Sequence, residues 1–449
     1  MRSLFLVAFV VALGQALRAP PGSQPGPATY AWLALALCAA AAAALLRRQP
    51  ILDESWSAAP IALAVAALVV QASQIVSNLP AWRTRPAAHV LGVVSLAAIA
   101  AAVVAVGALA GGSRLSRLAP PLICGALGAS FLYVVYATPD PWMDVHFFHV
   151  ESFRDLLAGR SPYGQQRANI YAGRFSFYAP EVLTDGGKRV NVGFPYPPLQ
   201  LLLSLPAHLI AGDYRYGQAA ALPISAALMM CATRTRSALA AGVLFLTTPM
   251  IFYFVEGSWT EPLVVLLLSA TLFCAVRAPR WLPLALGGLF AIKQYTLALA
   301  PLVALLLPEN GRSARAAANL LFRALAVAAL VTLPFFAWNP RGFVNDLVLF
   351  QIRQPLRLDS LSWLPLARLA GWPLPAWSCF ALLGLVVAAA ALWSPRTPAG
   401  FAAAAALGYC AFFATAKQAF ANYYLFPLAA GAWAMALAEP RAQTVNQGT

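Results

Sequence analysis

The chain has 449 residues, 61% of them hydrophobic and only 10% charged, with mean hydropathy +0.71 and a formal net charge of +15. Soluble domains carry about 25% charged residues, so this composition excludes a soluble globular protein. It points to an all-α polytopic membrane protein whose partner is the lipid bilayer, each span needing roughly 20 apolar residues. The positive balance reads as arginines holding loops on the inner side. Nucleic acid as a partner is excluded, because no basic cluster with interleaved aromatics occurs.

Apolar runs are expected near 4–17, 28–46, 59–76, 88–110 and 118–137. Residues 1–18 read as a cleaved signal peptide or as a first span, and the charge pattern favours the span. Arg2, Arg47/Arg48 and Arg114/Arg117 fall on alternate connections, while Arg83 and Arg85 fall on the opposite side. The best fit puts the N-terminus inside and the fifth run leaving the membrane outward at Ala137.

The longest polar segment follows, 138–196, a first outer loop. It holds six of the fifteen acids (Asp140, Asp144, Glu151, Asp155, Glu181 and Asp185) and six basic residues, so it is neutral overall. Within it "VHFFHVESFRDLLAGR" has helical spacing, with Phe148, Phe153, Leu156 and Leu157 apolar and Gly159 as a stop. The expectation is an amphipathic helix lying on the outer membrane surface.

The return begins at "FPYPPLQLLLSLP", whose paired prolines fit a helix start. Runs follow near 197–211, 217–232 and 237–255. Arg234 and Arg236 mark an inside turn, so one of the first two runs is re-entrant or interfacial. "FVEGSWTEP" then sets Glu256 and Glu261 between apolar runs, and 262–276 ends inside at Arg277/Arg280. Residues 281–308 begin and end inside, with Arg312/Arg315 beyond. Twenty-eight residues cannot make two full spans, so two half-helices are expected with Lys293 at the turn, as cavity-lining broken helices allow. A span near 316–337 leads to a second outer loop, 338–375. Spans near 376–393 and 399–416 bracket Arg396, and a last one near 421–438 leaves Arg441 inside. The total is about 12–14 transmembrane or half-membrane helices, with no convincing internal repeat.

On this topology Asp144, Glu256, Glu261, Lys293, Arg357, Asp359 and Lys417 all lie at or near the outer surface. Ionisable groups at membrane depth are costly and mark sites. The chain has 27 arginines but three lysines, Lys188, Lys293 and Lys417, two of them in Lys-Gln pairs. An ammonium is a point-charge partner for phosphate; a structural ion pair for Lys293, and chance in so small a count, are the alternatives. Asp144 is a candidate general base for a hydroxyl, or a helix N-terminal acid matching the macrodipole. Asp140, between two prolines, reads as a cap or turn residue. His146 and His149, spaced i,i+3, could touch one ion but are more often interfacial decoration. No metal site or cofactor is predicted, and divalent-cation dependence stays open. The six cysteines lie in apolar runs without ligand spacing and read as small buried hydrophobes.

In order, Asp144, "FRDLLAGRSPYG" and "FPYPPLQLLLSLP" resemble the first outer loop of GT-C superfamily glycosyltransferases. The nearest likeness is to glycosyltransferase family 87 and related polyprenol-phosphate-mannose-dependent enzymes, with their acidic residue, G-x-x-P-Y and Y-P-P-L. "GGLFAIKQYTLALAPLVALL" is similar to their lysine-bearing segment, and "LRLDSLSW" and "KQAFANYYLFPL" resemble later ones. The likeness covers roughly 120–440. It departs from the family in the membrane helices preceding the loop, and in "EGSWTEP", where many relatives have glutamine, asparagine or aspartate.

The resemblance implies extra N-terminal helices over 1–117, a GT-C-like catalytic membrane domain over 118–440 and a cytoplasmic tail over 441–449. It implies an inverting transfer of a hexose or pentose, mannose favoured, from a polyprenyl-phosphate donor to a hydroxyl of a glycan, glycolipid or protein, on the extracytoplasmic face of the cell membrane. Asp144 would be the general base. Lys293, then Lys417 or Arg357, would bind the donor phosphate. Glu261 and Glu256 would orient hydroxyls, and Trp142, Tyr163 and Tyr196 would stack on sugar faces. The competing readings are a transporter or flippase of a lipid-linked saccharide, which predicts an inverted repeat, and a non-catalytic scaffold.

Overall fold

The structure, a computed structural model, describes residues 2–18, 22–45, 58–77, 88–111, 113–308, 313–372 and 374–438. Arg47, Arg48, Arg83, Arg85, Arg312 and Arg441, used above for topology, and the tail 441–449 lie outside the described residues. Helix accounts for 77% and strand for 1%, so the class is all-α. Among the described residues, five helices are long and apolar enough to cross a membrane, six if one bent pair is a single span.

Four of the five open the chain's membrane part: α2 (Pro27–Leu45), α3 (Ala58–Ser77), α4 (Ala88–Ala110) and α5 (Ser113–Ala137). The shorter α1 (Arg2–Ala16) precedes them. These helices share one core with the end of the chain. The ring of Phe9 on α1 lies against Gly431, where a side chain has no room, and Thr247 donates to Gln71 of α3 at 2.7 Å. The position 117/118 lies within α5.

After α5 the chain forms a polar layer. Here α6 (Asp144–Leu157) is followed by a small antiparallel sheet of β1 (Arg167–Ala168), β2 (Leu183–Thr184) and β3 (Arg189–Val190), in the order β1-β3-β2. The expected stop is present: α6 ends before Gly159, which adopts φ +69°, a left-handed conformation cheap only for glycine. The expected membrane-surface position is corrected. Phe148 and Phe153 of α6 are buried against Tyr163, Phe194 and Tyr214 in an aromatic core of the layer itself. Amphipathic spacing shows that one face must be covered, not what covers it.

Next come α7 (Pro198–Ala211) and α8 (Arg215–Thr233). Arg215, fully buried, donates to Thr138 O at 2.6 Å and to Glu256 O at 3.1 Å, and pairs with Asp213 at 2.6 Å. The turn after α7 is therefore pinned beside the exit of α5.

The remainder comprises α9 (Arg236–Leu246), bent by 54° from α10 (Met250–Glu256), then α11 (Glu261–Arg277), α12 (Leu282–Ile292), a 3-10 stretch Gln294–Leu306 and α13 (Ala314–Trp338). The break between α12 and the 3-10 stretch falls at Lys293, which is extended (φ −150°, ψ 140°). A second polar segment contains α14 (Pro340–Val344), α15 (Phe350–Arg353) and α16 (Trp363–Leu369). The chain ends with α17 (Ser378–Trp393), α18 (Pro398–Ala414) and α19 (Leu425–Ala436). The six cysteines are free. Only Cys379 and Cys410 are buried, which corrects the expectation for the exposed Cys38 and Cys231 and the half-buried Cys124 and Cys274.

One carboxylate joins the two polar segments. Asp346 Oδ2 accepts from the backbone N–H of Gly164 (2.9 Å), Gly193 (2.9 Å) and Phe194 (3.1 Å), and Oδ1 accepts from Asn345 (3.0 Å). Asn339 adds a bond to Tyr163 O at 2.9 Å. Asp346→Ala would leave three buried donors unsatisfied, each costing about 1–3 kcal/mol. The variant is expected to lose about 3 kcal/mol or more in thermal unfolding in detergent, with Asp346→Asn losing clearly less. Equal behaviour of the two would show that the carbonyl acceptor is not what holds the segments.

Candidate functional site

A cavity of about 190 Å³ opens where the two polar segments meet the helix ends. Asp144 of α6, Tyr178, Tyr196, Arg357 and Asp359 line it, with Trp259, Phe420, Asn422 and Tyr423. Local sequence explains most of these positions. Asp144 is the first residue of α6, where an acid matches the helix dipole. Its Oδ1 accepts from Val145 N at 2.8 Å, and its own N–H donates to Tyr171 Oη at 3.0 Å. Tyr178 Oη donates to Asp144 Oδ2 at 2.8 Å. Burial, and then the Asp144 carboxylate, hold the Tyr178 phenol well above its ordinary value, so it stays a donor.

Across the cavity Arg357 makes a bidentate pair with Asp359 (2.8 and 2.6 Å), its plane 3.8 Å from the centre of Phe177 and 5.0 Å from Phe420. Such stacking fixes the guanidinium without consuming its donors. Arg357 N–H donates to Lys417 O, and Leu361 N–H to Ala419 O at 2.7 Å, so "LRLDSLSW" and "KQAFANYYLFPL" are stitched together. Two buried wall atoms, Trp259 Nε1 and Asn422 Oδ1, have no hydrogen-bond partner among the described residues.

The other sequence candidates lie elsewhere. Lys293 sits beneath the cavity floor, bonded to Glu261 Oε1 at 2.9 Å and Thr260 at 2.5 Å, with its ammonium 4.6 Å from the centre of Tyr196 and 5.6 Å from Tyr423. Glu261 also accepts from Asn422 at 3.0 Å. Lys293 and Glu261 thus form a buried ion pair, and neither residue lines the cavity. Lys417 turns away to donate to Ile352 O at 2.6 Å. Tyr163 is wholly buried in the aromatic core, donating to Tyr196 O at 2.8 Å, so its ring has no open face for a sugar. Glu256 is buried, with its backbone carbonyl on Arg215. Trp142 stands at the layer surface against Tyr171, under the Arg174 guanidinium.

The acids around Asp144 are largely structural. Asp155 is clamped by Arg167 (2.6 Å) and Arg160 (2.9 Å), and Glu151 pairs with Arg154. Asp140 caps no helix and sits in a bend. His146 and His149 do not share an ion site: His149 Nδ1 faces Val145 O at 2.8 Å and its ring stacks on Tyr214, while His146 Nδ1 faces Ser258 at 3.4 Å. No cluster of three or more metal-ligating side chains occurs among the described residues. Sequence reasoning missed Tyr178, Trp259 and Asn422. The only signal for Tyr178 was the aromatic density of "RFSFYAP".

No family model, curated protein or solved structure matches the chain.

Two predictions follow from this geometry. Lys293→Met leaves Glu261 as an unpaired buried charge, and removing one partner of a buried pair costs about 3–5 kcal/mol. A drop of that size in thermal stability is expected, with partial recovery in Lys293→Met/Glu261→Gln; a neutral single variant would refute the pair. The second concerns pH. Burial, and then the Arg215 charge, push His146 down to about 4, and burial pushes His149 down to about 3, from 6.5. Below pH 6.5 the unfolded chain binds these protons and the folded layer does not, so stability falls with pH, by about 1.4 kcal/mol per histidine per pH unit. Asp346, raised to about 6 by burial, acts oppositely below pH 6 and offsets one histidine in part. The net expectation is loosening between pH 7 and 5, read as lower protection factors in 144–196 once exchange is corrected for the intrinsic effect of pH. Unchanged protection there would contradict it.

Proposed function

We propose that the cavity is the sugar-transfer site of a GT-C-like membrane glycosyltransferase that uses a polyprenyl-phosphate sugar, mannose favoured. The observation that carries this reading is the convergence of a carboxylate and a fixed guanidinium on one aromatic-walled cavity, Asp144 on one side and Arg357 on the other. The architecture that goes with it has 12–14 membrane or half-membrane segments and the polar layer on the extracytoplasmic face.

In this reading the acceptor hydroxyl lies against Asp144 Oδ2, which Tyr178 orients, and gives up its proton as its oxygen attacks the anomeric carbon. The bond to the phosphate oxygen breaks on the opposite face, with inversion. The leaving lipid phosphate gains a negative charge, and a pre-positioned cation stabilises it. Arg357 takes this role in place of Lys293, because Lys293 is occupied by Glu261 and Thr260 beneath the floor. Tyr196, Phe420 and Tyr423 supply ring faces for the sugar. Glu261 acts through Asn422, to which it is bonded.

The test is transfer from radiolabelled polyprenyl-phosphate mannose in membranes holding wild-type or Asp144→Asn protein. General-base catalysis contributes about 10²–10⁴-fold, so the variant is expected to lose at least about 100-fold at equal expression. Full activity in Asp144→Asn would remove the base assignment. Absence of transfer by the wild type from any polyprenyl-phosphate sugar would remove the reading.

A further inference from the structure

A second cavity, of about 580 Å³, lies at the end of the bundle away from the polar layer. The ends of α11 and of the 3-10 stretch and the starts of α12 and α13 form it, and its walls are mostly apolar. Two polar side chains of α13 interrupt them, Asn319 and Arg323, one helical turn apart.

Arg323 is unusual in its depth. α13 is one of the five helices able to cross a membrane, and only 11% of its apolar window is buried inside the protein. Phe322 and Leu330 on it are 72% and 76% exposed, as a lipid-facing helix requires. Arg323 lies about 14 Å along the helix from its first residue. A guanidinium at that depth is costly and is expected to have a partner or a path to the interface. Among the described residues Arg323 has no acid to pair with, since every described acid belongs to the polar layer or to the helix ends beside it. Arg277, Arg280, Arg315 and Arg396 are close in sequence to residues of the cavity wall, so this end is strongly basic. Glu309, next to the wall residue Pro308, lies outside the described residues.

We propose that Arg323 and Asn319 hold the phosphate of an anionic membrane phospholipid whose acyl chains occupy the apolar remainder of the cavity. Charge selects an anion. The apolar walls and the lipid-facing helix select a lipid over free phosphate, for which one guanidinium and one amide make a poor site. The site lies at the opposite end of the bundle from Asp144 and stands whether or not the chain transfers sugar.

The test uses the full chain purified in neutral detergent, with melting temperature followed against added phosphatidylglycerol, phosphatidylcholine or inorganic phosphate. Phosphatidylglycerol alone is expected to give a saturable rise. In Arg323→Gln its half-saturating concentration should increase roughly tenfold, the loss of one charge-assisted contact, while Arg341→Gln, in the second polar segment at the opposite end of the bundle, should behave as wild type. Ala316→Trp, which fills the cavity without touching the charge, should abolish the rise and serves if Arg323→Gln does not fold. Equal rises from phosphatidylglycerol and phosphatidylcholine, an unaltered response in Arg323→Gln, or an unaltered response in Ala316→Trp would each overturn the proposal. A loss of stability in Glu309→Gln matching that in Arg323→Gln, without lipid response in the wild type, would assign Arg323 to an intramolecular pair instead.

Discussion

The cavity at the polar layer depends on one buried carboxylate. Its walls come from two polar segments that the chain separates by a whole set of membrane helices. Tyr178 and Tyr196 belong to the first, Arg357 and Asp359 to the second. Asp346 bridges them, reaching Gly193 across 153 residues and taking three backbone N–H groups on one oxygen. Those donors sit in turns where no strand or helix partner exists, and a buried N–H without an acceptor is expensive. A glycine is needed where the carboxylate arrives: a side chain at Gly193 would meet Asp346 Oδ2 at 2.9 Å. Arg215 does the corresponding work one layer down, tying the exit of α5, the start of α8 and the end of α10 with its guanidinium. Both are charged groups spent on backbone polar atoms, which irregular chain at the end of a helix bundle cannot satisfy by itself.

This also accounts for the gathering of acids after Ala137. Glu151 and Asp155 are answered by Arg154, Arg160 and Arg167 within the same neutral segment, so they build the layer. Asp144 differs by its partners, which are a phenol and a backbone amide. These contacts orient the carboxylate at the cavity wall.

What the sequence revealed and what it hid divide along contact range. The break at Lys293 followed from loop parity and a 28-residue count, the start of α7 from Pro197-Pro198, and the end of α6 from Gly159, all local signals. Asp346, the bonds of Arg215 to Thr138 and Glu256 and the order β1-β3-β2 depend on contacts between distant segments, and no spacing in one sequence encodes those. The misreading of α6 has the same origin: Phe148 and Phe153 announce a covered face, and only the folded layer names Tyr214 and Phe194 as its cover. Lys293 was legible as a special residue, with an ion pair as the alternative, but its partner was not, because Glu261 lies 32 positions away and no helical period relates them.

The charge arithmetic of the cavity constrains the proposed chemistry further. Asp144 and Asp359 bring two negative charges and Arg357 one positive charge. During transfer the base loses a negative charge to a proton while the leaving phosphate gains one. The net charge of the site is constant, and what changes is where the charge lies. Stabilisation must therefore come from a cation fixed nearer the phosphate than the base, already oriented before the bond breaks. Arg357 meets the second requirement, since Asp359 and the rings of Phe177 and Phe420 hold its plane. Asp359 would then serve two ends at once: it locks the guanidinium, and by sharing its charge it keeps the donor phosphate from binding so tightly in the ground state that the later gain is lost.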